Sequence, residues 1–559
     1  MTGTRLGRTL RRCVLVLLLA VLFACAALMM IGTERLQALM ERTLGPGGSP
    51  VVAAAVTNLA KLYHKRTLAI REKQLGAEHP DVAESLNNLA EVYFVQARYA
   101  DAESLYKRAL AILEKQLGAE HIDVANTLDS LASMYHVQNR YTDAEPLYKR
   151  ALVIKEKELG AEHPSVASGL TKMATMYIHQ ARYAEAEQSY MRSLEIIEKK
   201  FGAEHPNVAL CLNNLAALYD RQARYADAEP LHKRALAIRE KALGAEHPNV
   251  ALSLNNLAGL YRDQARYTDA EPLYKRALAI FEKRQGAEHP NVATSLNNLA
   301  ALYVDQGRYA EAEPLHKRAL AIREKAQKAL GMENPSVARS LNNLATLHFK
   351  QGQQSKAEPL YKRALPIAAG SGEPDLLWSV PGNLRDLYEK SAPNLSAFYG
   401  KQAVNTLQSV RETNMAMDAT SQRSFLKSKE RYYTVLADQL FAQNRLAEGQ
   451  QVLAMLKEAE YREFIGKGAN ADEDPRRTRV AYSPREAKWE QRFQEIAAKL
   501  AKADPKGEQY TALSKEMDAF FEDVKKAFAE GAQGEDNRLD NTSPMQKPLG
   551  ELGEGTALV

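Results

Sequence analysis

The sequence predicts an all-α fold in which short helix pairs stack into an elongated solenoid. Three observations support this prediction. The motif Gly-Ala-Glu-His begins at Gly76 and recurs every 42 residues as far as Gly286. Between these motifs, apolar residues are spaced three or four apart, which is typical of two amphipathic helices in each repeat. Prolines follow the glycine-containing loops, where the first turn of a helix tolerates a missing backbone N–H.

Composition sets the outer limits on function. The chain has 559 residues, so we expect more than one structural unit. Its net charge is only +5, and its basic and acidic residues are interleaved, which argues against a nucleic-acid-binding surface. Its three cysteines are too few for a disulfide framework or a four-cysteine zinc site.

The N-terminal region predicts a membrane anchor. Residues 1–12 form a basic tail, residues 13–31 carry no charge, and residues 32–50 form a linker. A helix of nineteen residues is about 28 Å long, close to the thickness of a bilayer core. The arginines before this run predict a cytoplasmic N-terminus and extracytoplasmic repeats, facing the periplasm if the membrane is a bacterial inner membrane. The lipid bilayer is therefore one predicted partner.

Two alternatives exist for the same apolar segment. It is also long enough to be a cleaved signal peptide, in which case the mature protein is secreted. The phrase Leu22-Phe23-Ala24-Cys25 is a rough match to a lipoprotein signal, which would place a lipid on Cys25. All three hypotheses put the repeats outside the cytoplasm.

The repeats themselves occupy most of the chain. Residues 51–80 run from one helical phrase into the next without a turn, which predicts a capping half-repeat. Residues 81–370 then hold seven repeats, the last beginning 45 residues after its predecessor. Helices of about fifteen residues are unstable alone, so each pair must bury its apolar face against its neighbours.

Small and large residues in each repeat resemble the tetratricopeptide pattern. In the first repeat these positions are Leu86, Leu89, Ala90, Tyr93, Ala102, Tyr106 and Ala109. The 42-residue length and the phrase Leu-Asn-Asn-Leu-Ala resemble the kinesin light chain subtype, over about residues 51–368. The resemblance implies a right-handed superhelical solenoid of tetratricopeptide helix pairs, with the first helix of each pair lining a concave groove.

The same resemblance places the second asparagine of each Asn-Asn pair in that groove, and it implies a protein or peptide partner there. Asparagine has both a donor and an acceptor, so a row of asparagines can hold a peptide backbone. The predicted groove residues are Asn88, Asn214, Asn256, Asn298 and Asn343, with Glu91, Phe94, Arg221, Arg262, Asp263, Asp305 and Lys350 one turn further along to provide selectivity. The alternative is that these asparagines only cap or bridge neighbouring helices.

Two repeats depart from the asparagine pattern. They carry Asp129-Ser130 and Thr171-Lys172 in place of Asn-Asn, which interrupts the predicted row in its first half. Either selectivity is concentrated in that half or a ligand does not use it.

Catalytic chemistry is not predicted. The histidines recur at equivalent positions a whole repeat apart, too far for shared metal ligation, and no glycine-rich phosphate loop is present. No cofactor and no metal are therefore expected, and the chain is predicted not to be an enzyme.

After the repeats, residues 371–465 predict a helical extension with degenerate repeats, residues 466–484 a flexible loop, and residues 485–532 a helical hairpin. This arrangement resembles the region that precedes the caspase-like module of bacterial TPR-CHAT proteins. Residues 533–559 are then a disordered tail or a remnant of the first strand of that module. No cysteine lies beyond Cys211, so the cysteine nucleophile of such a peptidase is absent from this chain.

Two functions follow as hypotheses. The first is a membrane-anchored interaction scaffold that binds a peptide or protein in the concave groove. The second is the regulatory or sensor half of a truncated or split CHAT peptidase system.

Overall fold

A computed structural model describes residues 50–530, with gaps at 97, 139, 181, 331–333, 372, 414–418, 466–478, 504 and 506. Within these ranges every regular element is an α-helix, which confirms the predicted all-α class. Contacts between residues divide the chain into two units, with the boundary after Leu330.

The first unit contains thirteen of the described helices, one single helix followed by six pairs. They are α1 (Pro50–Leu75), α2 (Pro80–Val95), α3 (Tyr99–Leu117), α4 (Ile122–Val137), α5 (Tyr141–Leu159), α6 (Pro164–His179), α7 (Tyr183–Phe201), α8 (Pro206–Arg221), α9 (Tyr225–Leu243), α10 (Pro248–Asp263), α11 (Tyr267–Gln285), α12 (Pro290–Asp305) and α13 (Tyr309–Leu330). The even-numbered helices from α2 to α12 are the first helices of repeats 1 to 6, and each packs on the second helix that follows it.

Small residues let the helices of the first unit approach closely. Ala90 and Ala102 in the first repeat are fully buried, as are their equivalents in the later repeats. Each second helix also packs on the next first helix, so one apolar core continues from repeat to repeat. In addition, α1 packs against α13, so the two ends of the first unit meet.

The Gly-Ala-Glu-His motif ends one helix and begins the next. Its glycines have φ between +86° and +91°, a conformation that other residues rarely adopt. Its histidine is the N-cap of the following helix: His79 Nδ1 accepts a hydrogen bond of 3.2 Å from the backbone N–H of Asp81. The same bond recurs at His121, His163, His205, His247 and His289.

An arginine at each inter-helix turn connects successive repeats. Arg140 lies over the Tyr135 ring at 4.0 Å and donates hydrogen bonds to Asp143 at 2.7 Å and to Glu103 of the preceding repeat at 2.9 Å. Burial would raise the pKa of Glu103, but hydrogen bonds from Lys107, Tyr135 and Arg140 outweigh it and lower that pKa to about 2. Equivalent contacts recur at Arg182, Arg224, Arg266 and Arg308.

The second unit contains eight described helices. They are α14 (Pro335–Lys350), α15 (Gln354–Ser371), α16 (Pro374–Tyr388), α17 (Pro393–Thr413), α18 (Ala419–Ala442), α19 (Leu446–Ile465), α20 (Pro484–Leu500) and α21 (Glu508–Glu530). Fully buried Lys401 on α17 contacts Glu448 on α19 at 2.7 Å and Glu486 on α20 at 2.8 Å, which connects three of these helices. Residues 466–478 of the predicted loop and residues 533–559 lie outside the described ranges, and the TPR-CHAT resemblance stays a prediction.

The predicted membrane location requires correction. Across the part of the chain that the structure describes, no helix combines the length and the apolar content needed to cross a bilayer, which counts against a membrane-anchored protein. Residues 13–31, on which that prediction relied, and Cys25, the predicted lipidation site, lie outside the described residues.

Candidate functional site

The first helices of the first unit turn one continuous face away from the core. On α8, Leu210, Ala217 and Arg221 are exposed and Asn214 is partly exposed, whereas the positions between them are buried except for partly exposed Asp220. The spacing of four, three and four residues keeps these side chains on one side of the helix. The same four positions on α2, α4, α6, α8, α10 and α12 are called here the first-helix face.

Four rows of residues make up this face, each with one residue per repeat. The N-terminal row is Glu84, Asn126, Ser168, Leu210, Leu252 and Thr294. The asparagine row is Asn88, Ser130, Lys172, Asn214, Asn256 and Asn298. The floor row is Glu91, Ser133, Thr175, Ala217, Gly259 and Ala301. The C-terminal row is Val95, Val137, His179, Arg221, Asp263 and Asp305.

The two asparagines of each pair have different environments. The second asparagine lies on the first-helix face, at least partly exposed, at each predicted position of the first unit; Asn343 is also partly exposed, at the same position of α14. The first asparagine points toward the next repeat: Asn213 Nδ2 donates to Ser253 Oγ at 3.0 Å. Asn255 and Asn87 make the same bond, to Ser295 and Thr127. The bridging role foreseen for these residues therefore belongs to the first asparagine.

The predicted selectivity residues divide into three groups. Arg262 contacts Asp263 at 3.0 Å and Asp305 of the next repeat at 3.5 Å, so they form one charged cluster. Arg221 and Lys350 are exposed at the ends of their helices. Glu91 accepts a hydrogen bond of 2.8 Å from Tyr106, and Phe94 packs its ring against Tyr99. These last two side chains thus also contribute to packing.

A buried ring lies beneath the floor row in every repeat of the first unit. Beneath Ser133, the Tyr148 hydroxyl donates a hydrogen bond of 3.0 Å to the serine hydroxyl. Tyr190 and Thr175 pair in the same way at 3.1 Å. Only Glu91 of this row was among the predicted site residues. The change from Glu91, Ser133 and Thr175 in repeats 1–3 to alanine and glycine in repeats 4–6 is visible once the repeats are aligned.

Histidine replaces tyrosine beneath two of the alanines. His232 is fully buried, and its ring nitrogens lie 2.9 Å from Asn213 Oδ1 and 3.0 Å from Asp220 Oδ2. His316 lies 2.8 Å from Asn297 Oδ1, and burial lowers the pKa of His316 to about 4. The rings of these histidines bond to neighbouring side chains of the protein, which indicates a structural role.

A second pair of histidines lies at the C-terminal ends of α4 and α6. His136 Nε2 and His179 Nδ1 are 2.8 Å apart, and Tyr141 lies beside both rings. Burial, together with the neighbouring His179, lowers the pKa of His136 to about 4, so the His136 ring is neutral near pH 7. In the described ranges, no three His, Cys, Asp or Glu side chains gather closely enough to hold a metal ion.

Large apolar side chains are exposed in two rows of the face. Val95 and Val137 are 64% and 52% exposed in the C-terminal row of repeats 1 and 2, and Leu210 and Leu252 are 51% and 40% exposed in the N-terminal row of repeats 4 and 5. Leu210 and Leu252 stand at the same position of successive first helices, beside small floor residues, so they could offer apolar contact to a bound segment. These two leucines were not among the predicted site residues, because single exposed leucines are common in sequences of this kind.

The repeats of this chain match a known protein family. The profile described as Tetratricopeptide repeat matches residues 59–115, 81–157, 123–190, 165–241, 222–283, 249–325 and 324–369. No curated protein matches the chain.

Similar solved structures include kinesin light chain-like repeats. A putative kinesin light chain from Podosopora anserina with nearly identical TPR-like repeats is 29% identical, covers 37% of this chain and 98% of its own, and has a TM-score of 0.32. BtubC (BKLC) from P. vanneervenii is 25% identical over 42% of this chain and 92% of its own, with a TM-score of 0.35. A Rap protein complexed with Competence and Sporulation Factor is 15% identical over 68% and 98%, with a TM-score of 0.43.

Proposed function

Because the chain belongs to the tetratricopeptide repeat family, whose profile matches residues 59–369, we propose that it is an interaction scaffold that binds an extended peptide on the first-helix face. The match confirms the repeat type predicted from the sequence, and the kinesin light chain repeats among the similar structures agree with the predicted subtype. On this proposal, the predicted groove is the first-helix face.

The row of second asparagines is the observation that carries the proposal. Asn214, Asn256 and Asn298 stand at one position of three successive helices and have solvent access. Their neighbours Asn213 and Asn255 already bridge the repeats, so packing does not require a second asparagine in each pair. An amide that both donates and accepts can pair with a peptide main chain whatever its side chains are.

The test uses the full chain and a peptide probe. Random peptides about twelve residues long, displayed on phage, are selected on the purified protein, and the Kd of the best peptide is measured by calorimetry. The triple variant Asn214→Ala, Asn256→Ala, Asn298→Ala should bind at least about tenfold more weakly, since each lost hydrogen bond costs about 0.5–1.5 kcal/mol.

The control replaces three exposed lysines of the second helices, Lys241, Lys283 and Lys325, by alanine. Their ion pairs are exposed, so stability should change little and peptide affinity should stay within about twofold. Unchanged affinity in the asparagine variant, or failure to select any peptide, would contradict the proposed function.

A further inference from the structure

One repeat of the first-helix face breaks the pattern of its floor row. In repeats 2 and 3, the buried tyrosine hydroxyl bonds to Ser133 or Thr175 above it. In repeat 5 the floor residue is Gly259, which has no side chain to accept that bond. Tyr274 below it is 1% exposed, and among the described residues its hydroxyl has no hydrogen-bond partner.

Packing does not explain this glycine. A Cβ added at Gly259 would lie 3.6 Å from Tyr274 Oη, which is ordinary van der Waals contact, so alanine would fit. Alanine does stand at the same position in repeats 4 and 6, as Ala217 and Ala301. Glycine inside a helix costs about 1 kcal/mol relative to alanine. What glycine provides here is access from the face to the tyrosine hydroxyl.

The surroundings define what could reach that hydroxyl. Arg262, one turn along α10, already has Asp263 and Asp305 as partners, so its charge is matched. A carboxylate approaching Tyr274 would meet two acidic side chains, which disfavours an anionic group. A neutral acceptor carries no such penalty. Exposed Leu252, two turns toward the N-terminus of the same helix, offers an apolar contact beside it.

We propose that Gly259 and Tyr274 form a subsite for an extended segment of a partner polypeptide, in which a main-chain carbonyl of that segment accepts a hydrogen bond from Tyr274 Oη. The carbonyl takes the place that a serine or threonine hydroxyl occupies in other repeats. The absence of a side chain at Gly259 lets the peptide backbone approach the helix closely. An apolar side chain of the segment packs toward Leu252. The inference rests on the proposed function and fixes where on the face the peptide is held most closely.

Two substitutions in the full chain test the subsite with the phage-selected peptide as probe. Gly259→Ser supplies the missing hydroxyl, which should bond Tyr274 as Ser133 bonds Tyr148, and so occupy the subsite. Tyr274→Phe removes the donor. Each should weaken peptide binding by about tenfold, while thermal unfolding shows that Gly259→Ser is no less stable than the unmodified chain.

The matched control is Ala242→Ser, which adds the same hydroxyl at an exposed position of the second helix α9, outside the first-helix face. Because the peptide does not contact that position, affinity should change by less than about twofold. If Gly259→Ser and Tyr274→Phe bind the peptide like the unmodified chain while the triple asparagine variant does not, the subsite is wrong and the proposed function stands. If the asparagine variant also binds normally, or if no peptide is selected, both fall.

Discussion

Repeats 1–3 and repeats 4–6 of the first unit share one backbone pattern but present different faces. In the first half the floor row is Glu91, Ser133 and Thr175, each of which holds the tyrosine hydroxyl beneath it. In the second half it is Ala217, Gly259 and Ala301, and exposed leucines stand at two of the three positions of the N-terminal row. The buried positions keep the fold while the face varies: small floor residues stand beside exposed leucines in the second half, whereas the exposed valines of the first half, Val95 and Val137, stand beside larger floor residues.

The interior differs between the halves as well. Asn213 and Asn255 in the second half bridge to serines of the following repeats. In the first half, Asp129 occupies the equivalent position and forms a buried ion pair with Lys155. Repeat 1 keeps the neutral bridge, from Asn87 to Thr127, so the change is confined to repeat 2, where Asp129 pairs with Lys155 of its own repeat and with Lys172 of the next at 3.6 Å.

The largest expected effect is the loss of stability when the buried ion pair of Asp129 is broken. Asp129→Asn leaves the Lys155 ammonium buried without a carboxylate, since both side chains are 6% exposed. Breaking a buried pair from one side costs about 3–5 kcal/mol, which urea unfolding would measure. Adding Lys155→Leu, the residue type found at the equivalent Leu113, should restore most of the stability. An unchanged unfolding midpoint for Asp129→Asn would show that the pair is not maintained.

A loss of folding stability of similar size is expected at acidic pH, and it should come from His316 in the second half. The pKa of His316 is lowered to about 4 by burial and, secondarily, by Arg323, so the folded state favours the neutral ring. The stability it contributes is present above the ordinary pKa of about 6.5 and is lost as pH falls toward 4, on the order of 3 kcal/mol. His316→Tyr, the residue type of Tyr274, should remove this part of the pH dependence in thermal unfolding.

His136 provides the counterpart in the first half, because its pKa is also lowered to about 4. His136→Phe, the residue type of Phe94, should remove a separate part of the acid destabilisation. If His316→Tyr leaves the pH dependence as it was, His316 does not titrate in this range.

A smaller effect on stability is expected when residue types of the floor row are exchanged between the two halves. Thr175→Gly should lower stability by about 1–2 kcal/mol, because it adds the helix cost of glycine and removes the hydrogen bond with Tyr190. Gly259→Ser should do the reverse and raise the urea midpoint. Equal midpoints for both variants would mean that the floor row contributes nothing to stability.

The smallest effect concerns the apolar contact. Leu252→Asn, which copies Asn126 of the first half, should weaken the phage-selected peptide by about fivefold, since the exposed leucine becomes buried when the peptide binds and asparagine gains less from that burial. Asn126→Leu is the matched change in the other half and should leave affinity unaltered. If Asn126→Leu changed the affinity and Leu252→Asn did not, the ligand would bind on repeats 1–3.

The succession of helix pairs could be predicted, because strict periodicity determines which side of each helix is buried. The position of the second asparagines was inferred from the family resemblance rather than from periodicity; Asn214 and Asn256 have solvent access, and their role in binding stays a prediction. The pairing of Arg140 with Glu103 could not be predicted, since it joins residues 37 apart whose proximity depends on how repeats stack. Gly259 was missed because its meaning depends on Tyr274, fifteen residues away on another helix. The predicted membrane location was wrong: it relied on residues 13–31 and the arginines before them, and no helix among the described residues could cross a bilayer.

The contact between α1 and α13 has a consequence for how the first unit comes apart. Linear repeat arrays usually fray from their termini, where the outermost element has a single neighbour. Here α1 rests on both α2 and α13, and α13 on both α12 and α1, so neither terminal helix lacks a second support. Amide hydrogen exchange should therefore be nearly as slow in α1 and α13 as in the middle helices, because opening either terminal helix breaks two interfaces rather than one.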